Sequence, residues 1–233
     1  MENSYYNVVE TLLLIYAADG GKLKIYLKKK EEEPYKNYWT LPSAPLDNQT
    51  TLEENAHKIY KAVTNLDEGV TFQSKVFSDL NREPSARIIG ASYVAITDKT
   101  LIDMKQKDEN KAWFEVDNLP KLGFDHEHII KEVSEDVKKQ ITTNYNDMFI
   151  SFFQSDFTLP ELQNFYENVL GKPIDRRNFH KKFVSQDLVI DTGFKTSKGS
   201  GRPGTLYRFN MDKMKGHRIW MKKDLDLKNL SLL

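Results

Sequence analysis

The segment NVVETLLLIYA, residues 7–17, runs straight into the turn signal DGG at Asp19–Gly21 and constrains the fold more than any other stretch of the chain. A nearly continuous apolar run without helical or alternating spacing describes a strand buried on both faces. The next segment, KLKIYLKK, has the opposite character. Leu23, Ile25 and Leu27 alternate with Lys22, Lys24, Tyr26 and Lys28, which predicts a half-exposed hairpin partner.

ARIIGASYVAI (residues 86–96) and AWFEV (residues 112–116) read as further strands, separated by long loops. One helix interrupts them, with Leu52, Ala56, Ile59, Tyr60 and Val63 on a single face. Its start has two possible capping boxes, Thr50 with Glu53 or Thr51 with Glu54. A second helix is expected from about His126 to Ile141, capped by Asp125. His126 and His128 are two residues apart and do not share a helical face, which argues against a metal pair.

With 39% hydrophobic and 12% aromatic residues, 233 residues suffice for one large core or two small ones. The apolar runs are far shorter than the ~20 residues a bilayer crossing needs, and no basic segment precedes them. The expectation is a soluble, cytoplasmic protein without membrane contact. Zero cysteines exclude disulfides, zinc-thiolate sites and a thiol nucleophile.

The formal charge of zero is a cancellation. Up to Gln154 the chain carries 19 basic and 25 acidic side chains, and from Ser155 onward 15 basic and 9 acidic, hence −6 against +6. Such asymmetry points to a polyanion as the partner of the C-terminal part, or to two domains that attract each other. In that part, TLPELQNFYENVLG has Thr158 as N-cap, Glu161 three residues on, an apolar stripe from Leu159 to Leu170 and Gly171 as a stop. After KPI, Asp175 caps RRNFHKKFV, in which Phe179, Phe183 and Val184 form a narrow seam. The period then changes to strands, LVI (residues 188–190) and TLYRF (residues 205–209), around the basic tip DTGFKTSKGSGRPG.

Two helices joined by a short turn, the second densely basic, and a basic hairpin are the layout of a winged helix-turn-helix. The candidate DNA contacts are Arg176, Arg177, Asn178, His180, Lys181 and Lys182 on the helix, with Lys195, Lys198 and Arg202 on the wing. Arg forks onto guanine, Asn onto adenine, and flanking cations onto phosphates.

Mixed strands, a helix after WTLP, then FEVDNLP and a second helix resemble a Nudix domain. The Nudix box of that family is Gly, five residues, Glu, seven residues, Arg-Glu, two residues, Glu-Glu, one residue, Gly. Its positions are held here by Ala44, Thr50, Lys58, Ile59, Ala62, Val63 and Asn65. Hydrolysis of a nucleoside diphosphate linkage needs Mg²⁺ on hard oxygen ligands, which Ile59, Ala62 and Val63 do not offer. Glu53 and Glu54 fit better as helix-start residues favoured by the dipole. Together with the C-terminal motif, from about Val8 to Phe209, the chain resembles the bacterial NrtR-like, Nudix-related transcriptional regulators.

The fold class implied is α+β, an N-terminal Nudix-like α/β/α sandwich with a mixed sheet over residues 1–154 and a winged helix-turn-helix over residues 155–233. The resemblance implies a homodimer on an inverted-repeat operator in double-stranded DNA, with a small-molecule effector such as ADP-ribose or, in some relatives, a pentose. Candidates for the effector wall are Tyr38, Trp39, Asp79, Arg82 and Arg87. No catalytic residues, metal ligands or cofactor are expected, and so no enzyme. Two alternatives stay open: a Nudix-type hydrolase using Glu54 or Asp79 as non-standard metal ligands, and a protein-binding adaptor. The apolar Met148, Phe149, Ile150, Phe152 and Phe153 are expected to pack between domains, across a dimer or in a core.

Overall fold

The computed structural model describes residues 7–67, 70–83, 86–97, 99–105, 108–143, 150, 152–153, 156–196 and 203–214. The chain divides into two compact units, Met1–Ala17 with Lys24–Glu135 and Ala18–Leu23 with Asp136–Leu233.

The first unit is built on a mixed sheet. Its elements follow in the order β1 (Val8–Asp19), β2 (Lys22–Lys29), β3 (Trp39–Thr40), β4 (Ser43–Pro45), α1 (Leu52–Thr64), β5 (Val70–Phe77), β6 (Ile88–Ile96), α2 (Lys99–Lys105), β7 (Lys111–Glu115) and α3 (His126–Thr143). The strand order is β3-β2-β1-β6-β5, with β4 added to β1 and β7 to β2. β1 runs parallel to β6, Val8 beside Ile88 and Tyr16 beside Ile96. β4 on β1, β3 and β7 on β2, and β5 on β6 are antiparallel.

Both faces of β1 are covered, as its unbroken apolar run requires: Leu12 to Ala17 are all 0% exposed. On one face Leu13 and Ile15 join Ala56, Ile59, Tyr60 and Val63 of α1 in a single cluster. On the other, the Tyr16 hydroxyl meets Ser134 Oγ of α3 at 2.9 Å. Each large aliphatic side chain buried this way contributes about 1.5–3 kcal/mol. Asn55 of α1 locks the layer laterally, its Nδ2 donating to Thr11 Oγ1 of β1 at 3.0 Å and to the carbonyls of Ala44 and Pro45.

Two expectations need correction. Tyr26, on the face of β2 predicted to be exposed, is only 4% exposed because Trp113 of β7 lies on it, ring centroids 4.9 Å apart. The stretches expected as long loops contain β5 and α2; β5 breaks its alternation with a register shift between Gln73 and Val76, which hides the period-2 signal.

α1 uses the Thr51–Glu54 capping box and ends at Asn65, left-handed at φ 57°. Asn is the residue other than Gly that tolerates that conformation most readily.

The second unit contains α4 (Leu159–Leu170), α5 (Arg176–Ser185), the hairpin β8 (Val189–Thr196) with β9 (Gly204–Phe209), and α6 (Met211–Met214). Thr158 and Glu161 form the expected capping box on α4, and Gly171 closes it at φ 67°. Leu162, Phe165, Phe183 and Leu188 are fully buried. Of the apolar segment before α4, Phe152 and Phe153 fill this core, their rings 5.3 and 5.2 Å from Phe165. Ile150 is half-buried, and Met148 and Phe149 lie outside the described residues.

Candidate nucleic-acid interface and ligand cavity

The turn between α4 and α5 is pinned by side chains. Glu167 Oε1 accepts from the Ile174 amide at 2.8 Å, and Gln163 Nε2 donates to the Ile174 carbonyl at 3.1 Å. Asp175 then caps α5 by accepting from the Asn178 amide at 2.8 Å. With Phe179 and Phe183 buried, α5 leaves Arg176, Arg177, Asn178 and Lys181 exposed, while Lys182 is half-buried. Arg177 and Lys181 are one helical turn apart and therefore on one face. That face offers forked and point-charge donors without an acidic neighbour on the helix, which suits guanine edges and phosphates.

His180 stands apart from the other candidates. It is half-buried, its Nε2 is buried without a hydrogen-bond partner among the described residues, and burial followed by the Arg176 charge holds its pKa below the usual value. Its ring is tilted against that of Phe179, with centroids 6.2 Å apart. On the hairpin, Lys195 is exposed, while Lys198 and Arg202 lie outside the described residues.

The first unit holds a cavity of about 560 Å³ whose wall includes Lys28, Lys29, Lys30, Thr40, Phe124 and His126. Lys28 and Lys29 end β2, and Lys30 follows it. Burial first, then the Lys30 charge, lowers the Lys28 pKa, while Glu10 and Glu31 act the other way. His126 begins α3; its Nδ1 accepts from the Leu41 amide at 3.0 Å, and burial, then Arg82 and Lys28, holds it neutral with a pKa lowered to about 3. Phe124 is left-handed at φ 58° and stacks between Tyr35 (4.7 Å) and His126 (5.3 Å). The lining also carries Glu10, Glu31, Glu32 and Glu83, so the chemistry offered is a rim of mixed charge, with both cations and carboxylate acceptors, beside an aromatic wall.

The five effector candidates stand elsewhere, and none is part of this cavity wall. Trp39 is covered by Lys29, 5.1 Å above the ring, and meets Phe114 edge-on at 4.8 Å. Tyr38 carries Lys121 at 4.6 Å. Asp79 is exposed, and Arg87 Nη1 donates to the carbonyls of Ser78 and Asp79 at 2.7 and 3.0 Å, bracing that loop. Arg82 is 5% exposed. It binds both carboxylate oxygens of Asp125 at 3.0 and 3.2 Å and approaches Glu10 at 3.6 Å. It therefore braces the residue preceding His126. Gly90 makes the room, since a Cβ there would lie 3.0 Å from Arg82 Nη2. Of the cavity lysines, Lys28 was visible in sequence only as part of the outward face of a strand.

The box positions follow the same logic. Ile59 and Val63 point into the core beneath the sheet, and Lys58 and Ala62 are exposed.

Residues 150–209 match the family model described as the NrtR DNA-binding winged helix domain. Over 202 residues the chain is 28% identical to the ADPR responsive transcriptional repressor NtrR of Acinetobacter baylyi, a match spanning 84% of this chain and 80% of that protein. A stretch of 111 residues is 36% identical to the ADP-ribose pyrophosphatase of Methanocaldococcus jannaschii, 47% of this chain and 64% of the other. The crystal structure of Shewanella oneidensis NrtR complexed with a 27mer DNA superposes with a TM-score of 0.73 at 24% identity, covering 89% of this chain and 95% of that one. Residues 150–209 are therefore similar to the NrtR DNA-binding winged helix domain, and the fold of the chain as a whole is similar to that of Shewanella oneidensis NrtR, a mixed-sheet unit followed by a winged helix.

Proposed function

We propose that the protein is a ligand-responsive transcriptional regulator, with residues 155–233 as its DNA-binding part and residues 1–154 as its sensing part. It acts as a homodimer on an inverted-repeat operator. The observation that carries this reading is α5, a capped helix held by a pinned turn, its apolar side buried and Arg176, Arg177, Asn178 and Lys181 exposed. The effector is a small metabolite, a sugar, ADP-ribose or a related nucleotide, in the cavity lined by Lys28, Lys29 and Lys30 together with Glu10, Glu31, Glu32 and Glu83; ADP-ribose is the first to try, because the Acinetobacter baylyi relative is named for its response to it. Effector binding shifts operator affinity by a coupling of about 1–3 kcal/mol, roughly 5- to 150-fold.

The deciding experiment is fluorescence anisotropy on duplexes tiled across the region upstream of its own gene, at two salt concentrations, with Arg177→Ala alongside. One duplex bound far more tightly than scrambled DNA, with that preference lost in the variant, supports the reading. Uniform weak binding that collapses with salt refutes it.

A hydrolase is the second reading, favoured by the similarity to the Methanocaldococcus jannaschii pyrophosphatase. With Ile59 and Val63 in the core, α1 brings no carboxylate to those box positions, and no turnover of ADP-ribose with Mg²⁺ is expected. Release of AMP and ribose phosphate at catalytic rates would establish the enzyme instead.

A further inference from the structure

The hairpin of the second unit contains a bulge that presents an aromatic ring to solvent. β8 and β9 pair regularly from Val189 with Phe209 to Asp191 with Tyr207, and again at Lys195 with Thr205. Between these pairs three residues of β8, Thr192, Gly193 and Phe194, stand opposite Leu206 alone. The irregularity is held by its own hydrogen bonds. Gly193, left-handed at φ 77°, donates its amide to Asp191 Oδ1 at 2.8 Å. Thr192 Oγ1 donates to the Leu206 carbonyl at 2.8 Å and accepts from the Phe194 amide at 3.3 Å.

A bulge of this kind re-aims the side chain that follows it, and here that side chain is Phe194, 68% exposed. An isolated exposed aliphatic group needs no explanation. A Phe left in water by a turn that three hydrogen bonds maintain is different, because the same residues in a regular ladder would have no need of that network.

We propose that Phe194 is a DNA-contacting residue of the wing, its ring packing on the deoxyribose and base edges of the minor groove beside the helix-bound major groove. The proposal rests on the regulator reading above. DNA is the occupant the charges favour: Phe194 is followed by the exposed Lys195, and residues from Ser155 onward carry 15 basic against 9 acidic side chains. Phosphates draw the strand in, and the ring then covers apolar groove wall that cations leave bare.

An apolar contact releases no counterions, and this gives the test its signature. Full-length wild type, Phe194→Ser, Phe194→Trp and Lys195→Ala are titrated into the tiled duplexes by anisotropy at several salt concentrations. Phe194→Ser is expected to bind roughly tenfold more weakly with an unchanged salt slope. Lys195→Ala should instead flatten the slope by about one unit. Phe194→Trp should retain affinity and show DNA-induced quenching absent from the wild type. Affinity of Phe194→Ser equal to wild type overturns the proposal, and so does a loss that follows a change in oligomeric mass by light scattering, since a second copy would then be what covers the ring. If wild type binds every duplex alike, the regulator reading falls, and the ratio of wild type to Phe194→Ser on that same DNA still decides whether Phe194 touches it.

Discussion

Replacing Arg82 with Met tests the ion cluster behind the cavity wall. The Arg82 side chain is 3% exposed, against 16% for Asp125 and 22% for Glu10. Opposite charges ~4 Å apart attract by about 4 kcal/mol at an effective dielectric of 20, before the desolvation of the guanidinium is subtracted. Removing one partner of a buried pair typically costs 3–5 kcal/mol because the other charge is left uncompensated. Here both carboxylates retain some contact with water, so Arg82→Met should destabilise the first unit by about 2–4 kcal/mol. Asp125→Asn alone leaves the guanidinium half-paired, and the double variant should cost about 2 kcal/mol less than the two single costs added. Urea denaturation followed by tryptophan fluorescence, to which Trp39 and Trp113 of the first unit contribute, gives these values, with unchanged m-values as the control. A cost below about 1 kcal/mol for Arg82→Met, or strict additivity in the cycle, would refute the view that this cluster braces α3.

His126, with its pKa lowered to about 3, stays neutral in the fold while the unfolded chain protonates near 6.5; its contribution is therefore complete above that pH and is lost at about 1.4 kcal/mol per pH unit as pH falls toward 3. His126→Asn keeps an acceptor for the Leu41 amide and should flatten that part of the stability-pH curve, read by urea titrations from pH 7 to 4. Asp175→Ala removes the cap of α5 and should cost about 0.5–2 kcal/mol in thermal unfolding while weakening DNA binding; an unchanged melting temperature would contradict the cap. Asn65→Ala places a Cβ-bearing residue without a compensating side chain at φ 57° and should cost about 1 kcal/mol, whereas Asn65→Gly should be neutral or better; equal melting temperatures for the two would contradict this account.

The parts legible in sequence were those encoded locally. β1 announced itself because both its faces are covered, and α4 and α5 because Thr158, Glu161, Gly171 and Asp175 each satisfy orphan backbone groups within a few residues. The cavity was not legible, since it depends on partners far apart in sequence. Arg82 has the composition of a ligand-binding residue, and only the approach of Asp125 and the absence of a side chain at Gly90 make it structural. Tyr26 follows the alternation of an outward residue, and only Trp113, from a strand much later in the chain, covers it. His180 shares the polar letters of α5, yet its helical phase turns its Nε2 inward.

The parallel pairing of β1 with β6 also governs how the molecule is made. Leu12 to Ala17 reach zero exposure only when Val8 to Tyr16 lie beside Ile88 to Ile96, so this apolar segment leaves the ribosome well before its parallel neighbour and waits for it. At 5–20 residues per second the interval is on the order of 4–16 seconds. During that time the edge of VVETLLLIYAA that β6 will pair stays open. Nascent chains stalled before Ile88 should therefore be heavy clients of ribosome-associated chaperones, and those stalled well beyond Ile96 should be released from them.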